Sequence, residues 1–130
     1  MAQAAYRGLR LYDSPETRAL VKQWVDFYKK YRGILDSDLI HIRRADGRDI
    51  DAMMHVNPQL PQKAFLMVWN PLKERVKKAL ELPLYYSGLT TSANVCEQDR
   101  ECSEYELDRE YVITLPVDVP ADSQTWFVIN

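Results

Sequence analysis

From residue 39 onward the chain is cut into short apolar runs by prolines and turn dipeptides, and this punctuation restricts the fold more than any other feature. Six of the seven prolines (58, 61, 71, 83, 116 and 120) fall between runs, where a residue without an N–H ends a strand ladder cheaply. The runs cover residues 39–45, 48–56, 64–70, 76–82, 84–86, 93–97, 103–107, 111–115 and 125–129. Short strands at this spacing predict a mainly β chain, an antiparallel β-sandwich of about eight or nine strands. AFLMVWN, residues 64–70, is apolar on both faces, as a central strand would be.

One segment ahead of the strands has a different period. Ser14 is placed to cap a helix, Pro15 suits its first position, and Glu16 suits the positive end of the dipole. Lys29, Lys30 and Arg32 favour the negative end, and Gly33 predicts the stop. At 3.6 residues per turn, Leu20, Trp24, Phe27, Tyr28 and Tyr31 share one arc, with Val21 and Val25 at its border. Rings of this size dominate contact energetics, so Trp24, Phe27, Tyr28 and Tyr31 are expected to form an interface with another surface. The expected organisation is an N-terminal segment and amphipathic helix over 1–35, then a C-terminal β-sandwich over 36–130.

Asp46-Gly47 is a strong hairpin signal between the first two runs. Pairing across a two-residue turn puts Arg44 opposite Asp49, Ile42 opposite Asp51, Ile40 opposite Met53 and Asp38 opposite His55. The two histidines, His41 and His55, then occupy opposite faces, which speaks against a shared acid–base or metal role.

A chain of 130 residues with net charge −2 fits a single globular domain and has no basic face long enough to follow a phosphate backbone. RGLR and HIRR are only local clusters. No apolar stretch has the length needed to cross a bilayer, so neither nucleic acid nor membrane is an expected partner. The start, MAQAAYRGLRLYDSP, lacks the charged and apolar regions of a signal peptide and reads as a chain entered in mid-course.

No phosphate-binding glycine loop, GxSxG, HExxH or CxxC motif occurs, and no catalytic residue, metal site or cofactor is expected. DGRDID departs from the ligand order of a calcium loop and reads as a solvated turn. Asp49 and Asp51 share a strand face, a spacing common in any exposed strand and weak support for a carboxylate pair. Trp69, Tyr85, Tyr86 and Trp126 are the candidate carbohydrate-stacking rings, although core packing is the commoner use of such residues. Tyr85 and Tyr86 would face opposite ways in an extended strand, leaving at most one exposed. Cys96 and Cys102 come opposite each other if a three-residue turn centred on Asp99 joins their strands, which permits a disulfide; two unpaired thiols beside an exposed turn is the alternative.

Several long strings, VKQWVDFYKKYRGILDSDLIHIRRADGRDIDAMMHVNPQ, AFLMVWNPL, LELPLYYSGL, YELDREYVITLPVDVPA and TWFVIN, resemble the C-terminal end of large bacterial proteins similar to α-galactosidase-type glycoside hydrolases. In that group a (β/α)8 catalytic barrel is followed by a C-terminal β-sandwich. The resemblance implies that residues 14–32 are the last barrel helix and that this chain, which is not itself an enzyme, covers and stiffens a barrel elsewhere in its parent. The implied partner is that barrel, and the implied location is periplasmic or extracellular. A carbohydrate-binding module is the alternative, and so is a self-associating interaction domain that dimerises through the helix face.

Overall fold

The computed structural model describes residues 11–98 and 100–130. RGLR, most of the N-terminal segment and Asp99 lie outside the described residues. Helix α1 spans Pro15–Leu35, followed by eight strands: β1 Asp38–Arg43, β2 Asp51–Val56, β3 Ala64–Asn70, β4 Val76–Pro83, β5 Ser92–Glu97, β6 Cys102–Glu106, β7 Val112–Val119 and β8 Ser123–Ile129. All pairings are antiparallel. A six-stranded sheet in the order β1-β2-β3-β8-β5-β6 packs on a two-stranded sheet, β4-β7. The chain is therefore a mainly β, antiparallel sandwich with one helix.

The start of α1 follows from its residues. Ser14 Oγ accepts from Thr17 N–H at 3.2 Å while Thr17 Oγ1 accepts from Ser14 N–H at 3.1 Å, a reciprocal pair that satisfies two of the otherwise orphaned N–H groups. Its end does not lie at Gly33. The helix continues to Leu35, with Asp36 as its cap, because Ile34 and Leu35 are buried and extending the helix seats both. Gly33 needs no left-handed turn here, and a Cβ at that position would meet only Leu60 Cδ1 at 3.8 Å.

Alternation assigns the two faces of the large sheet. Ile40, Ile42, Ala52, Met54, Val56, Leu66, Val68, Val95, Phe127 and Ile129 point toward β4-β7, where Leu80, Leu82, Ile113, Leu115, Val117 and Val119 complete the main core. The opposite face of the centre carries Phe65, Met67, Trp126 and Val128, and α1 covers it with Phe27, Tyr28, Tyr31, Ile34 and Leu35. The order of layers is helix, six strands, two strands.

Three further sequence expectations change. The first hairpin pairs Leu39 with His55, Ile40 with Met54 and His41 with Met53, one residue out of the expected register, with a bulge between His41 and Arg43. A connection spanning 44–50 replaces the two-residue turn: Arg43 Nη1 donates to Ile50 O at 2.8 Å, and Asp46 Oδ1 accepts from Arg48 N–H at 2.9 Å. Because side chains alternate, the slip moves Ile40 and Ile42 to the core and brings His41 and His55 onto the same outer face. Second, 84–86 is not a strand; Tyr85–Ser87 form a 3-10 turn ended by Gly88 at φ +77°. Third, Pro116 lies within β7, opposite Ala79, rather than between strands. A two-stranded sheet has two free edges, so a proline can face outward without breaking the ladder.

Cys96 and Cys102 are directly paired and joined by a disulfide across the β5–β6 turn. Asn70 is 2 % exposed; its Nδ2 donates to the carbonyls of Glu74, Val119 and Pro120 at 2.8–3.0 Å, and its Oδ1 accepts from Leu72 N–H at 3.0 Å. One amide thus ties the β3–β4 and β7–β8 connections together. Asn70→Ala is expected to cost about 2–4 kcal/mol, since several buried polar groups lose their partner together. Urea denaturation checks this, and Asn70→Asp should be no better, because a carboxylate would face three carbonyl oxygens.

Candidate functional site

The helix divides into two halves with different surroundings. In the C-terminal half, the Phe27 ring lies 5.1 Å from Tyr31, 5.9 Å from Phe65 and 5.0 Å from Trp126, all edge-on, and Tyr31 lies 4.9 Å from Phe65. Tyr28 Oη donates to Asp36 Oδ1 at 2.9 Å, and this hydrogen bond is the largest influence raising the phenol above its ordinary value. The ring-lined arc therefore has a partner within the chain, which corrects the expectation that it looks outward. Phe27, Tyr28 and Tyr31 seal the sheet; Trp24, 5.4 Å from Phe27, is half-buried at the margin of that seal.

The N-terminal half has no such cover. The order of contacts, from Tyr31 on Phe65 and Val128 to Phe27 on Trp126, shows that α1 runs toward the end of the sheet where Asp51, Trp69 and Gln124 are paired. Pro15 to Gln23 are exposed apart from half-buried Val21, an overhang of about 13 Å at 1.5 Å per residue. Leu20 is 54 % and Val25 42 % exposed, with Leu11 and Tyr12 also exposed just ahead of the helix.

At this end the outer sheet face carries Trp69, half-buried, beside Asp51 on β2 and Gln124 on β8. A groove of about 350 Å³ opens between helix and sheet, lined by Trp24, Phe27, Gln124 and Trp126. Two polar atoms here are buried without a hydrogen-bond partner: Asp51 Oδ1, an acceptor, and Trp126 Nε1–H, a donor. Such groups are uncommon in native proteins and costly where they occur. Both lie on this outer face, on strands two apart.

The four rings expected to bind carbohydrate are not gathered. Trp69 and Trp126 belong to the outer face just described, while Tyr85 and Tyr86 are in the 3-10 turn after β4. Both tyrosines are 64 % exposed, against the expectation of at most one, because a 3-10 turn does not alternate its side chains as a strand does. Sequence reasoning missed Asp51 and Gln124 as neighbours of Trp69; their alignment across three paired strands was visible only once the register was known.

Around the first hairpin the charges are structural. Arg43 bridges Asp46 at 3.2 Å and Asp49 at 3.5 Å, and Lys78 on β4 pairs with Asp49. The Lys78 hydrogen bond is the main reason that the Asp49 carboxyl sits below its ordinary value. Asp49 is thus bound into an ion-pair cluster and is not held apart with Asp51 as an acid–base pair. His55 is buried with Nδ1 3.2 Å from Ser37 O, and burial pulls its pKa below the usual histidine value. Among the described residues no cluster of three or more His, Cys, Asp or Glu could hold a metal, and no helix is long and apolar enough to cross a membrane. Comparison with protein-family models, curated proteins and solved structures gives no match to this chain.

The histidine makes a pH prediction. Its folded pKa lies below the unfolded 6.5, so the unfolded chain takes up the proton first and stability declines as pH falls through that value toward the folded one. The Asp49 carboxyl is shifted in the same direction, but its contribution is complete above 3.8 and is lost only in stronger acid. Unfolding free energy should therefore begin to drop as pH falls below about 7.5 and go on dropping through the unfolded value of 6.5. His55→Gln flattens this drop.

Proposed function

We propose that this chain is a non-catalytic accessory domain of a bacterial glycoside hydrolase, a C-terminal β-sandwich that docks on the (β/α)8 catalytic barrel of the same parent. The observation that carries the reading is the exposed N-terminal half of the helix at the end of a sheet face that the helix does not seal. Leu20 and Val25 are exposed on the helix, and Trp24 on the helix and Trp69 on the outer sheet face are half-buried. Apolar surface rimmed by polar groups marks an interaction site, and a docked partner would cover the exposed side chains. The similarity of the long strings quoted above supports a barrel as that partner. The helix would then serve two bodies, its C-terminal half holding the sandwich and its N-terminal half holding the barrel.

A periplasmic or extracellular location agrees with the Cys96–Cys102 bridge, since disulfides persist in oxidising compartments.

The test uses the reading frame upstream of Met1. An in-frame βα-repeating segment is expected there, and a parent carrying Leu20→Glu with Val25→Glu should lose several degrees of thermal stability or unfold in two separate steps. In the isolated chain the same exposed changes should stay within about 0.5 kcal/mol. Efficient turnover of aryl-glycosides by the isolated chain would refute the non-catalytic assignment, and an upstream frame without a barrel would refute the partner.

A further inference from the structure

At the opposite end of the sandwich a second surface is left open. Gly88 ends the 3-10 turn in the left-handed region, and a Cβ there would lie 3.1 Å from Pro58 Cβ, so this turn sits against the β2–β3 connection. That connection is at the Val56–Ala64 end of the sheet, remote from the Asp51–Trp69 end. Three tyrosines gather here. The Tyr85 and Tyr86 rings are 5.3 Å apart at 87°, and Tyr85 lies 5.7 Å from Tyr111 at 68°. With Tyr85 in the middle, ring faces and ring edges alternate across the surface.

The support beneath these rings is rigid. Leu84 is fully buried and its N–H donates to Tyr111 O at 2.8 Å, joining the two segments through the backbone. Ser87, also fully buried, donates from Oγ to Leu84 O at 2.6 Å. Tyr111 itself has φ +60°, a conformation that a bulky non-glycine residue adopts at a cost. A glycine would relieve that cost, yet the position holds the ring that flanks Tyr85.

We propose that Tyr85, Tyr86 and Tyr111 form a binding platform for a neutral glycan, taking one or two pyranose rings. A pyranose presents an apolar C–H face and a hydroxyl rim. Tyrosine offers the complement, a ring face of negative potential and a phenol that both donates and accepts. Size separates this ligand from a protein partner: two rings at 64 % exposure offer on the order of 200–300 Å², against about 800 Å² per side in a stable protein interface. The surrounding residues do not enlarge the patch, since Pro83, Gly88, Thr90, Asp108, Arg109 and Glu110 are exposed and mostly polar or charged. Base stacking would suit the same rings, but the adjoining turn carries two acids against one base, the wrong balance for a phosphate backbone. The platform does not depend on the proposed parent or on barrel docking.

The experiment is a titration of the wild-type chain, followed through the tyrosine ring resonances by NMR, with cellohexaose, xylohexaose, maltoheptaose and a galactomannan oligosaccharide at millimolar concentration. At least one should shift the rings of Tyr85, Tyr86 and Tyr111 together. Tyr85→Ala should weaken that binding by roughly tenfold. Tyr111→Gly should weaken it too while leaving the chain at least as stable, which separates loss of the ring from loss of the fold. The proposal is overturned if no sugar in the panel shifts these rings, if binding survives Tyr85→Ala unchanged and maps to Trp69 or Trp126, or if the rings respond only to protein concentration through dimerisation.

Discussion

The pairing of β3 with β8 places apolar side chains on both faces at the centre of the sheet, and each face must be removed from water. Leu66, Val68, Phe127 and Ile129 on one side call for the small β4-β7 sheet; Phe65, Met67, Trp126 and Val128 on the other call for a helix. A sheet apolar on only one face could have been a simple sandwich. Here a third layer is required, and the aromatic residues of α1 supply it.

A cover shorter than the surface has a consequence. The helix is anchored at its C-terminal end by Tyr31, Ile34 and Leu35, which leaves the Asp51–Trp69–Gln124 end of the same face outside the seal. The free-energy gain of burial is satisfied where the helix lies and unsatisfied where it overhangs. Orphan polar atoms at Asp51 and Trp126 belong to that boundary, where the sheet is shielded from water by neighbouring side chains but not yet paired. The end that holds the tyrosine platform is built differently: its rings rest on buried Leu84 and Ser87 and face outward by construction.

Much of this could be read in advance where local chemistry decides. The cap at Ser14, the helical arc, the central character of residues 64–70 and the approximate strand count all rest on short-range periodicity and hydrogen-bonding preferences. The register of the first hairpin could not be read, because a bulge at His41–Arg43 and the ion pairs of Arg43 and Lys78 outweigh the preference of Asp46-Gly47 for a tight turn. The candidate docking surface was half legible. Its aromatic helix was evident, but a periodic arc looks the same whether its partner is a neighbouring domain or the sheet of its own chain.

What the residues determined by themselves was the kind of element at most places, 84–86 excepted, and the spacing of its apolar positions, since these depend on neighbours one to four positions away. Tertiary structure alone decided which apolar faces meet. It divided the helix into a sealed half and an overhang, carried His41 and His55 to one side, and turned Tyr85 and Tyr86 out together. Those outcomes depend on pairings between strands far apart in the chain, and a shift of one residue in such a pairing reverses every side chain along it.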